Sequence, residues 1–422
     1  MDKDRRLAFL ILKKTETDGT WSNLALKDAF SVEKPEDPAF VRELVYGVIR
    51  NRKLLDYNIG RFLSRPKLSV SERTLLRMGL YQLAFMDSVK DHAAVYETVA
   101  LASSFIRGRQ GFINAVLRSI QRDGVRLLDD GLSTRYSCAQ WIIDLWEKHY
   151  GAEKTEELLR AGNTPAPFVV RANTLKTGRD ELIKLLQDEG FTAQACTDSA
   201  LCVKVSGSGV LDTDLYKSGF FSVQGEASCN AVELLSPRPG NTVLDLCAAP
   251  GGKSCAAAEM MNGVGKVVSF DVYPHRVKLI EKEASRLGID IINAKTANSA
   301  VFDKELEASA DCVIADVPCS GLGTLRRNPE IKLSERSETE SLHLLEELSE
   351  IQYNILLNAL KYIRPDGKVL YSTCTIDPVE NGELVRRVLS DVPGYRIDLE
   401  QQLFTEAGGH DGFYSCIIKE DR

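Results

Sequence analysis

The apolar residues of the first 125 or so positions recur at helical spacing. The pattern is clearest in three sets, which are Val41, Leu44, Val45 and Val48; Leu76, Leu80 and Leu83; and Phe112, Ile113, Val116, Leu117 and Ile120. Residues three and four apart share one side of an α-helix, so each set predicts a helix with one buried face. Turn-forming residues interrupt the pattern at 18–19, 33–38 and 107–111. We therefore predict an all-α bundle over residues 1–130, followed by a helical connector over 131–164.

A pattern of short mixed elements begins at Pro165. Strands are predicted at Phe168–Arg171, Leu201–Val205 and Phe220–Val223, and a helix is predicted at Asp180–Asp188. Strands and a helix within so short a stretch indicate a small α+β module, to which we assign residues 165–235.

From about Ala231 onward, apolar runs of strand length alternate with helical patterns. The predicted strands are Thr242–Ala248, Lys266–Val272, Ile289–Lys295, Asp311–Val317 and Lys368–Thr373, with Phe413–Ile418 as a closing edge strand. The predicted helices are Lys253–Met261, Pro274–Leu287, Glu340–Tyr362 and Pro378–Leu389. Such alternation is typical of a parallel sheet covered by helices. Residues 236–422 are therefore predicted to form an α/β, Rossmann-like domain in a multidomain chain.

The composition is that of a globular protein and narrows the class of protein to which the chain can belong. Of the 422 residues, 44% are hydrophobic and 27% are charged, and no apolar run is long enough to span a membrane. Ten cysteines and five histidines form no C-x-x-C pair and no cluster with metal-ligand spacing, so no metal is predicted. Unpaired thiols favour a reducing compartment, and we expect a cytoplasmic monomer with no membrane partner.

The charge of the chain is unevenly distributed. The net charge is −7, yet residues 1–120 contain 20 Lys and Arg against 14 Asp and Glu, while the remainder contains 33 against 46. The stretch Arg61–Arg77 adds a cluster of basic residues. This asymmetry favours contact between the N-terminal bundle and a polyanion, although a solvated helical surface explains the charge equally well.

A glycine-rich turn follows the first strand of the α/β domain and reads Cys247-Ala248-Ala249-Pro250-Gly251-Gly252-Lys253. Small residues let the backbone approach a ligand, and the amides of the helix that follows suit a carboxylate. Asp271 ends the second strand, where an acid accepts hydrogen bonds from ribose, and Asn298 follows the third strand, where it suits an adenine amino group. Because the turn is not G-x-G-x-x-G, S-adenosylmethionine fits better than a dinucleotide. A turn that only connects strand and helix is the alternative.

Two cysteines, Cys319 and Cys374, follow two other apolar runs of the α/β domain. The first belongs to Asp316-Val317-Pro318-Cys319 and the second to Ser372-Thr373-Cys374. Thiols at the carboxyl ends of strands, in a sheet suited to a nucleoside cofactor, indicate covalent chemistry on a base. Two buried structural cysteines are the alternative.

Three motifs of the chain closely resemble those of RNA cytosine-C5 methyltransferases, namely 247–253, 316–323 with 326–332, and 371–381. The N-terminal bundle resembles the antitermination factor NusB, notably at 40–47 and 111–118. A NusB-like RNA-binding domain fused to such a catalytic domain resembles the bacterial Sun/RsmB family, and the likeness covers nearly the whole chain. It implies methylation of a cytosine C5 in 16S (small-subunit) ribosomal RNA, either free or partly assembled, with S-adenosylmethionine as the donor.

The resemblance also implies roles for single residues. Cys374 is the nucleophile that adds to cytosine C6, and Cys319 serves product release. Asp316 binds the N3/N4 edge of cytosine and borders the methyl donor, and Lys253 steers the base or lowers a thiol pKa. The Pro-Cys cysteine of DNA cytosine-C5 enzymes leaves the reverse assignment of the two thiols open.

Basic residues near the catalytic motifs are predicted to face RNA. Arg326, Arg327 and Lys332 are candidates for phosphate contacts, with a solvated turn as the alternative, and Arg171 in the middle module is expected to brace the RNA side. Asn298 stands where the family usually carries Asp. Three alternative functions are methylation of a transfer RNA, a non-catalytic role as an antitermination-type factor, and methylation of an exocyclic amine or an amide. Enzymes of the last kind usually carry an Asn/Asp-Pro-Pro-aromatic motif, which this chain lacks at Asp316-Val317-Pro318-Cys319.

Overall fold

The computed structural model describes residues 2–63, 67–126, 131–334 and 337–421. The chain divides into two compact units, of which the first comprises residues 1–163 and 325–335 and the second residues 164–324 and 336–422. Each unit has its own buried core. The domain boundaries predicted from the sequence, after residues 130, 164 and 235, stay predictions.

The first unit is helical, as its apolar spacing predicts. Its helices are α1 (Lys3–Asp18), α2 (Ser22–Val32), α3 (Pro38–Arg50), α4 (Arg52–Gly60), α5 (Val70–Phe85), α6 (Asp91–Phe105), α7 (Gln110–Asp123), α8 (Leu132–Arg135) and α9 (Gln140–Gly162). Local signals set the ends of several helices. Gly19 ends α1 in the left-handed region, the Asp37 carboxylate caps α3 ahead of Pro38, and Ser69 and Glu72 form a capping box at α5. The three predicted breaks between helices are confirmed.

Residues 325–335 pack into this helical unit although they follow the Cys319 loop in sequence. The side chain of Leu333 joins the helical core, and Glu330 accepts a hydrogen bond from the Ser22 amide at 2.7 Å, at the start of α2. The Lys332 ammonium donates to the carbonyl oxygens of Arg50 and Tyr136, both at 2.7 Å, and to Asn163 Oδ1. These oxygens lie at the C-terminal ends of α3, α8 and α9, where a cation is favoured.

The second unit begins with a small antiparallel sheet. Its elements are β1 (Phe168–Ala172), α10 (Arg179–Asp188), β2 (Thr192–Ala195), β3 (Cys202–Ser206), α11 (Asp214–Lys217) and β4 (Phe221–Val223). The strand order is β2-β3-β1-β4. The α+β module is therefore confirmed, with β2 as a strand that the sequence pattern did not indicate.

A seven-stranded sheet dominates the second unit. Its elements are α12 (Glu226–Leu235), β5 (Thr242–Asp245), α13 (Gly252–Met260), β6 (Lys266–Asp271), α14 (Pro274–Leu287), β7 (Ile292–Thr296), β8 (Ala310–Asp316), α15 (Glu338–Tyr362), β9 (Ile363–Thr373), α16 (Gly382–Asp391), β10 (Tyr395–Leu403) and β11 (Phe413–Glu420). The strand order is β10-β11-β9-β8-β5-β6-β7. Neighbouring strands from β9 to β7 are parallel, whereas β11 runs antiparallel to both of its neighbours.

This topology confirms the Rossmann-like prediction and corrects one strand. The chain leaves β5 towards β6 on one side and later returns to β8 on the other, so the ligand crevice of such a sheet lies beyond β5 and β8. The prediction that Phe413–Ile418 closes the sheet as an edge strand is wrong, because β10 pairs outside it. The side chains of β10 are exposed or half-buried, but its sequence carries a signal for a strand, because Tyr395, Ile397 and Leu399 alternate with charged residues.

Two features of the described residues bear on the classes considered above. None of the helices within these residues combines the length and the apolar character that crossing a bilayer requires. Within the same residues, no three His, Cys, Asp or Glu side chains are grouped as metal ligands would be.

Candidate active site

The loop after β5 runs close to a neighbouring helix. The loop residue Gly251 has φ of 112°, and a Cβ at this position would lie 3.2 Å from the Cα of Ile280 in α14. Both the conformation and the available space therefore require glycine. No side chain caps the start of α13, so its first amides suit an anionic group.

A cavity of about 220 Å³ lies at this loop. Of the residues predicted to bind the cofactor, those that line the cavity are Cys247, Ala248, Ala249, Pro250, Gly252, Lys253 and Asp316. The structure thus brings the loop after β5 together with the acid at the end of β8, which lies beside β5 in the sheet.

Asp245, at the end of β5, is a lining residue to which sequence reasoning assigned no role. Its side chain is fully buried, and Oδ2 accepts a hydrogen bond from Ser254 Oγ at 2.6 Å. Oδ1 has no hydrogen-bond partner among the described residues. Burial raises the pKa of this carboxyl to about 7. An unpartnered carboxylate oxygen in a cavity suits a cationic ligand group. The sequence does contain a signal for this residue, because an acid at the end of an apolar strand is unusual.

Asp271 and Asn298 lie farther along the same edge of the sheet and do not line this cavity. Asp271 ends β6, where Oδ1 accepts from the Tyr273 amide at 3.1 Å and Oδ2 lies 3.5 Å from Arg276 Nη1. Asn298 is exposed, and its Oδ1 accepts from the Ala300 amide at 3.1 Å. The strands that lead to these two residues, β6 and β7, are neighbours.

The two predicted catalytic thiols come together. Cys319 follows β8 and Cys374 follows β9, which are adjacent parallel strands, and the two sulfur atoms lie 3.3 Å apart. The hydrogen bond to Cys374, burial, and the negative charge of Glu380 together raise the pKa of the Cys319 thiol well above its usual value. Cys319 therefore keeps its proton at neutral pH.

Asp316 ends β8 and contacts both β9, the strand that leads to Cys374, and Lys253 at the start of α13. Its Oδ1 accepts from Ser372 Oγ at 2.8 Å, and its Oδ2 pairs with Lys253 Nζ at 2.7 Å. The same ammonium donates to Ser228 Oγ at 2.8 Å and lies 5.2 Å from the centre of the Phe413 ring. Lys253 thus orients Asp316. The predicted effect of Lys253 on a thiol pKa stays a prediction.

Three of the residues predicted to contact RNA are interior residues. Arg171 is fully buried, with Nε and Nη2 at 2.9 and 2.7 Å from the two carboxylate oxygens of Glu259 in α13. Arg326 and Lys332 are each 1% exposed. The predicted phosphate contacts of Arg326 and Lys332 are corrected accordingly, because a buried side chain cannot reach a phosphate in this conformation. The predicted bracing role of Arg171 stays a prediction. Arg327 is half-buried and stays a candidate.

Three arginines of the basic stretch in the helical unit pair with neighbouring acids. Arg77 pairs with Glu16 and with Asp56, Arg73 pairs with Glu16, and Arg61 pairs with Asp123. Arg65 lies outside the described residues. The described part of the stretch therefore presents less positive charge than its sequence suggests.

The order of the sheet, the cavity beyond its central strands and the paired thiols define the class of protein as a Rossmann-like methyltransferase. Comparison with known proteins agrees. Residues 232–411 match the family described as 16S rRNA methyltransferase RsmB/F, residues 2–122 match the NusB family, and residues 138–210 match the ferredoxin-like domain of RsmF/B-like methyltransferases.

Similarity to individual proteins extends over the whole chain. The probable ribosomal RNA small subunit methyltransferase B of Bacillus subtilis is 34% identical, over 99% of this chain and 98% of its own. Ribosomal RNA small subunit methyltransferase B of Cronobacter sakazakii is 32% identical over 91% of each chain. The crystal structure of PH0851 has a TM-score of 0.82 at 25% identity and covers 100% of this chain and 99% of its own.

The chain belongs to the RsmB family of ribosomal RNA small subunit methyltransferases. The predicted Sun/RsmB resemblance and the NusB-like domain are thereby confirmed, and S-adenosylmethionine is the cofactor of the family, as predicted.

Proposed function

We propose that this enzyme methylates C5 of a cytosine in 16S ribosomal RNA through a covalent bond between Cys374 and C6 of the base. The observation that carries the proposal is the pair of sulfur atoms 3.3 Å apart, beside a cofactor cavity that shares Asp316 with the thiol-bearing strands. Methylation of a base oxygen or nitrogen requires no covalent nucleophile, so paired thiols favour a carbon acceptor.

The proposed reaction begins with addition. The thiolate of Cys374 forms an S–C6 bond, which turns the ring into an enamine whose C5 is nucleophilic. S-adenosylmethionine supplies the electrophilic methyl group when bound. After the C5–CH₃ bond has formed, a base removes the proton on C5, and that electron pair restores the C5=C6 double bond while the S–C6 bond breaks. The methyl transfer breaks the bond between the donor sulfur and the methyl carbon, so the products are 5-methylcytosine, S-adenosylhomocysteine, the free Cys374 thiolate and the C5 proton on the base that removed it.

The pKa of Cys319 supports this division of roles between the thiols. Two sulfur atoms in contact cannot both ionise readily, because the second negative charge is repelled by the first. The contact with Cys374 and burial raise the pKa of the Cys319 thiol, so a protonated Cys319 can donate to the sulfur of Cys374. The assignment of Cys374 as the attacking sulfur is part of the proposal. Cys319 then serves the release step as a general acid/base.

Asp316 is proposed to orient the base. Its two oxygens are fixed by Ser372 and Lys253, so the carboxylate has a single orientation towards the crevice. By accepting a hydrogen bond from the N4 amino group, the Asp316 carboxylate would fix cytosine in the crevice. It would also select cytosine over uracil, because uracil carries a carbonyl at C4 instead of the amino group that a carboxylate can accept from.

The residues around the cavity fit S-adenosylmethionine. The unpartnered Oδ1 of Asp245 suits the ammonium of its methionine part, and the uncapped start of α13 suits its carboxylate. Asp271 and Asn298, at the ends of the next two strands, are proposed to bind the ribose and the adenine. Asn298 offers both an amide donor and an acceptor to the base.

The acceptor base must leave its stack to reach the thiols, so it is either unpaired or flipped out. Family membership favours a small-subunit ribosomal RNA over a transfer RNA. Arg327 is the remaining candidate for a phosphate contact.

Nucleoside analysis tests the proposal. The purified enzyme is incubated with 16S ribosomal RNA and isotope-labelled donor, and the RNA is digested and examined by mass spectrometry. We expect the label in 5-methylcytidine alone and none with Cys374→Ala. Label in N4-methylcytidine or in a ribose methyl group would refute the proposal. Parallel reactions with naked RNA and mature small subunits identify the substrate form, and we expect naked or partly assembled RNA to react faster.

A further inference from the structure

Glu380 is a buried acid beside the thiol pair that the proposed mechanism does not use. It lies between β9 and α16, and its side chain has no exposed surface. One carboxylate oxygen accepts from the Ser320 amide at 2.9 Å, and the other accepts from the Ser320 hydroxyl. Ser320 directly follows Cys319 in the chain.

The residue that precedes Cys319 is held by the same network. Gln352 in α15 donates through Nε2 to Glu380 Oε1 and to the carbonyl oxygen of Pro318, both at 2.9 Å. The carbonyl oxygen of Glu380 itself accepts from the hydroxyl of Tyr371 in β9 at 2.7 Å. Both chain neighbours of Cys319 are therefore tied, directly or through Gln352, to one carboxylate.

We infer that Glu380 is a positioning residue that holds the Cys319 loop so that this thiol reaches the Cys374–base adduct and allows its release. The inference rests on the proposed function, because it assigns Glu380 to the second half of that reaction. Glu380 touches neither the cavity nor Cys374 in the contacts of the described residues.

The Glu380 side chain is fully buried. A carboxylate without solvent is costly unless several donors satisfy it. None of the ion pairs among the described residues involves Glu380, so Ser320 and Gln352 supply its stabilisation. Charge-assisted hydrogen bonds are stronger than neutral ones. The loop that carries Cys319 is therefore held more firmly than a neutral side chain at position 380 would hold it.

The charge also acts on the thiol. Glu380 contributes to the raised pKa of Cys319, after the contact with Cys374 and burial. A protonated Cys319 is the state that donates to the attacking thiolate, so the geometric and the electrostatic effects of Glu380 favour the same arrangement.

The test separates adduct formation from adduct release. The variants are Glu380→Ala and Glu380→Gln, with Glu383→Gln on the exposed side of α16 as the matched control. RNA with 5-fluorocytosine at the target position cannot lose the C5 substituent, so the rate of covalent trapping reports formation. RNA with ordinary cytosine releases the enzyme, so the amount and decay of the adduct on denaturing gels report release.

We expect 5-fluorocytosine RNA to trap Glu380→Ala at a rate within about twofold of the wild-type rate. The same variant should release ordinary RNA about a hundredfold more slowly, because a small misplacement of a catalytic group costs about that factor in rate. Glu380→Gln keeps the shape and part of the hydrogen bonding, so it should recover part of the release rate. Glu383→Gln should behave as wild type.

The remaining outcomes overturn the inference in distinguishable ways. Release at the wild-type rate in Glu380→Ala would show that Glu380 does not position Cys319. An equal loss of trapping and release in both Glu380 variants would indicate a general role in folding instead. A wild-type enzyme that methylates ordinary RNA yet is never trapped would refute the proposed function itself.

Discussion

The buried ion pair between Arg171 and Glu259 gives the sharpest prediction about stability. Arg171 lies in β1 of the small sheet and Glu259 in α13 of the large domain, and both side chains are fully buried. Two N–H groups of Arg171 meet the two carboxylate oxygens at 2.9 and 2.7 Å, and Nη1 donates to the carbonyl oxygen of Gly252 at 2.8 Å. The pair therefore links the two parts of the second unit next to the cofactor loop.

Arg171→Met removes the cation and leaves the Glu259 carboxylate buried without its partner. Removing one member of a buried ion pair costs about 3–5 kcal/mol, because the desolvation of the other is no longer offset. Arg171→Met/Glu259→Met removes both charges, so we expect it to be more stable than Arg171→Met alone. The exposed pair of Arg386 with Glu400 is the control, and Arg386→Met should cost about 0–1 kcal/mol.

Hydrogen exchange measures this effect where it arises. The free energy of opening of the amides in β1 and α13 should fall in Arg171→Met, and since about 1.4 kcal/mol corresponds to a factor of ten, protection should fall about a hundredfold or more. A loss below about 1 kcal/mol, as expected for an exposed pair, or a double variant less stable than Arg171→Met would refute the reasoning.

Two further predictions concern buried charges. Lys332→Met leaves three buried oxygens at helix ends without a donor, each worth about 1–3 kcal/mol, so the first unit should lose about 3 kcal/mol or more. All three tryptophans lie in that unit, so tryptophan fluorescence during urea unfolding measures the stability of the first unit. Lys27 is exposed, and Lys27→Met is the control. A loss of stability in Lys332→Met no larger than that of the control would contradict the prediction. Burial raises the pKa of Asp245 to about 7 in the folded state, whereas an Asp in the unfolded chain has a pKa of about 3.9. Between these two pH values the folded state holds a proton that the unfolded state has lost, so the free energy of unfolding falls as the pH rises. The urea midpoint of Asp245→Asn, measured by circular dichroism, should therefore rise relative to wild type from about pH 4 to pH 7, and a constant difference would contradict this.

Much of the fold follows from local pattern, because the responsible signals are close together in sequence. The apolar parts of β5, β6 and β8, and residues 369–373 of β9, are continuous runs buried on both faces, and Pro274–Leu287 is helical over the predicted bounds. The positions of both thiols just beyond adjacent strands also follow, since parallel strands end at one edge of the sheet.

Other features depend on contacts that sequence order hides. Lys332 and Arg171 are basic residues between apolar neighbours in the sequence, and only the tertiary structure supplies the helix ends and the carboxylate that accept their hydrogen bonds. Glu380 follows the second thiol by six positions, but its partners Ser320 and Gln352 come from elements before β9. Strand β10 is a different case, because Tyr395, Ile397 and Leu399 alternate with charged residues and its sequence does carry a period of two.

The identity of the residue bonded to RNA tests the central claim most directly. RNA carrying 5-fluorocytosine at the target position is incubated with enzyme and donor, and the trapped protein is digested and examined by mass spectrometry. The proposed mechanism predicts a nucleotide on the peptide that contains Cys374, an unchanged adduct in Cys319→Ala, and none in Cys374→Ala. A nucleotide bonded to Cys319, or full methylation of ordinary RNA by Cys374→Ala, would contradict it.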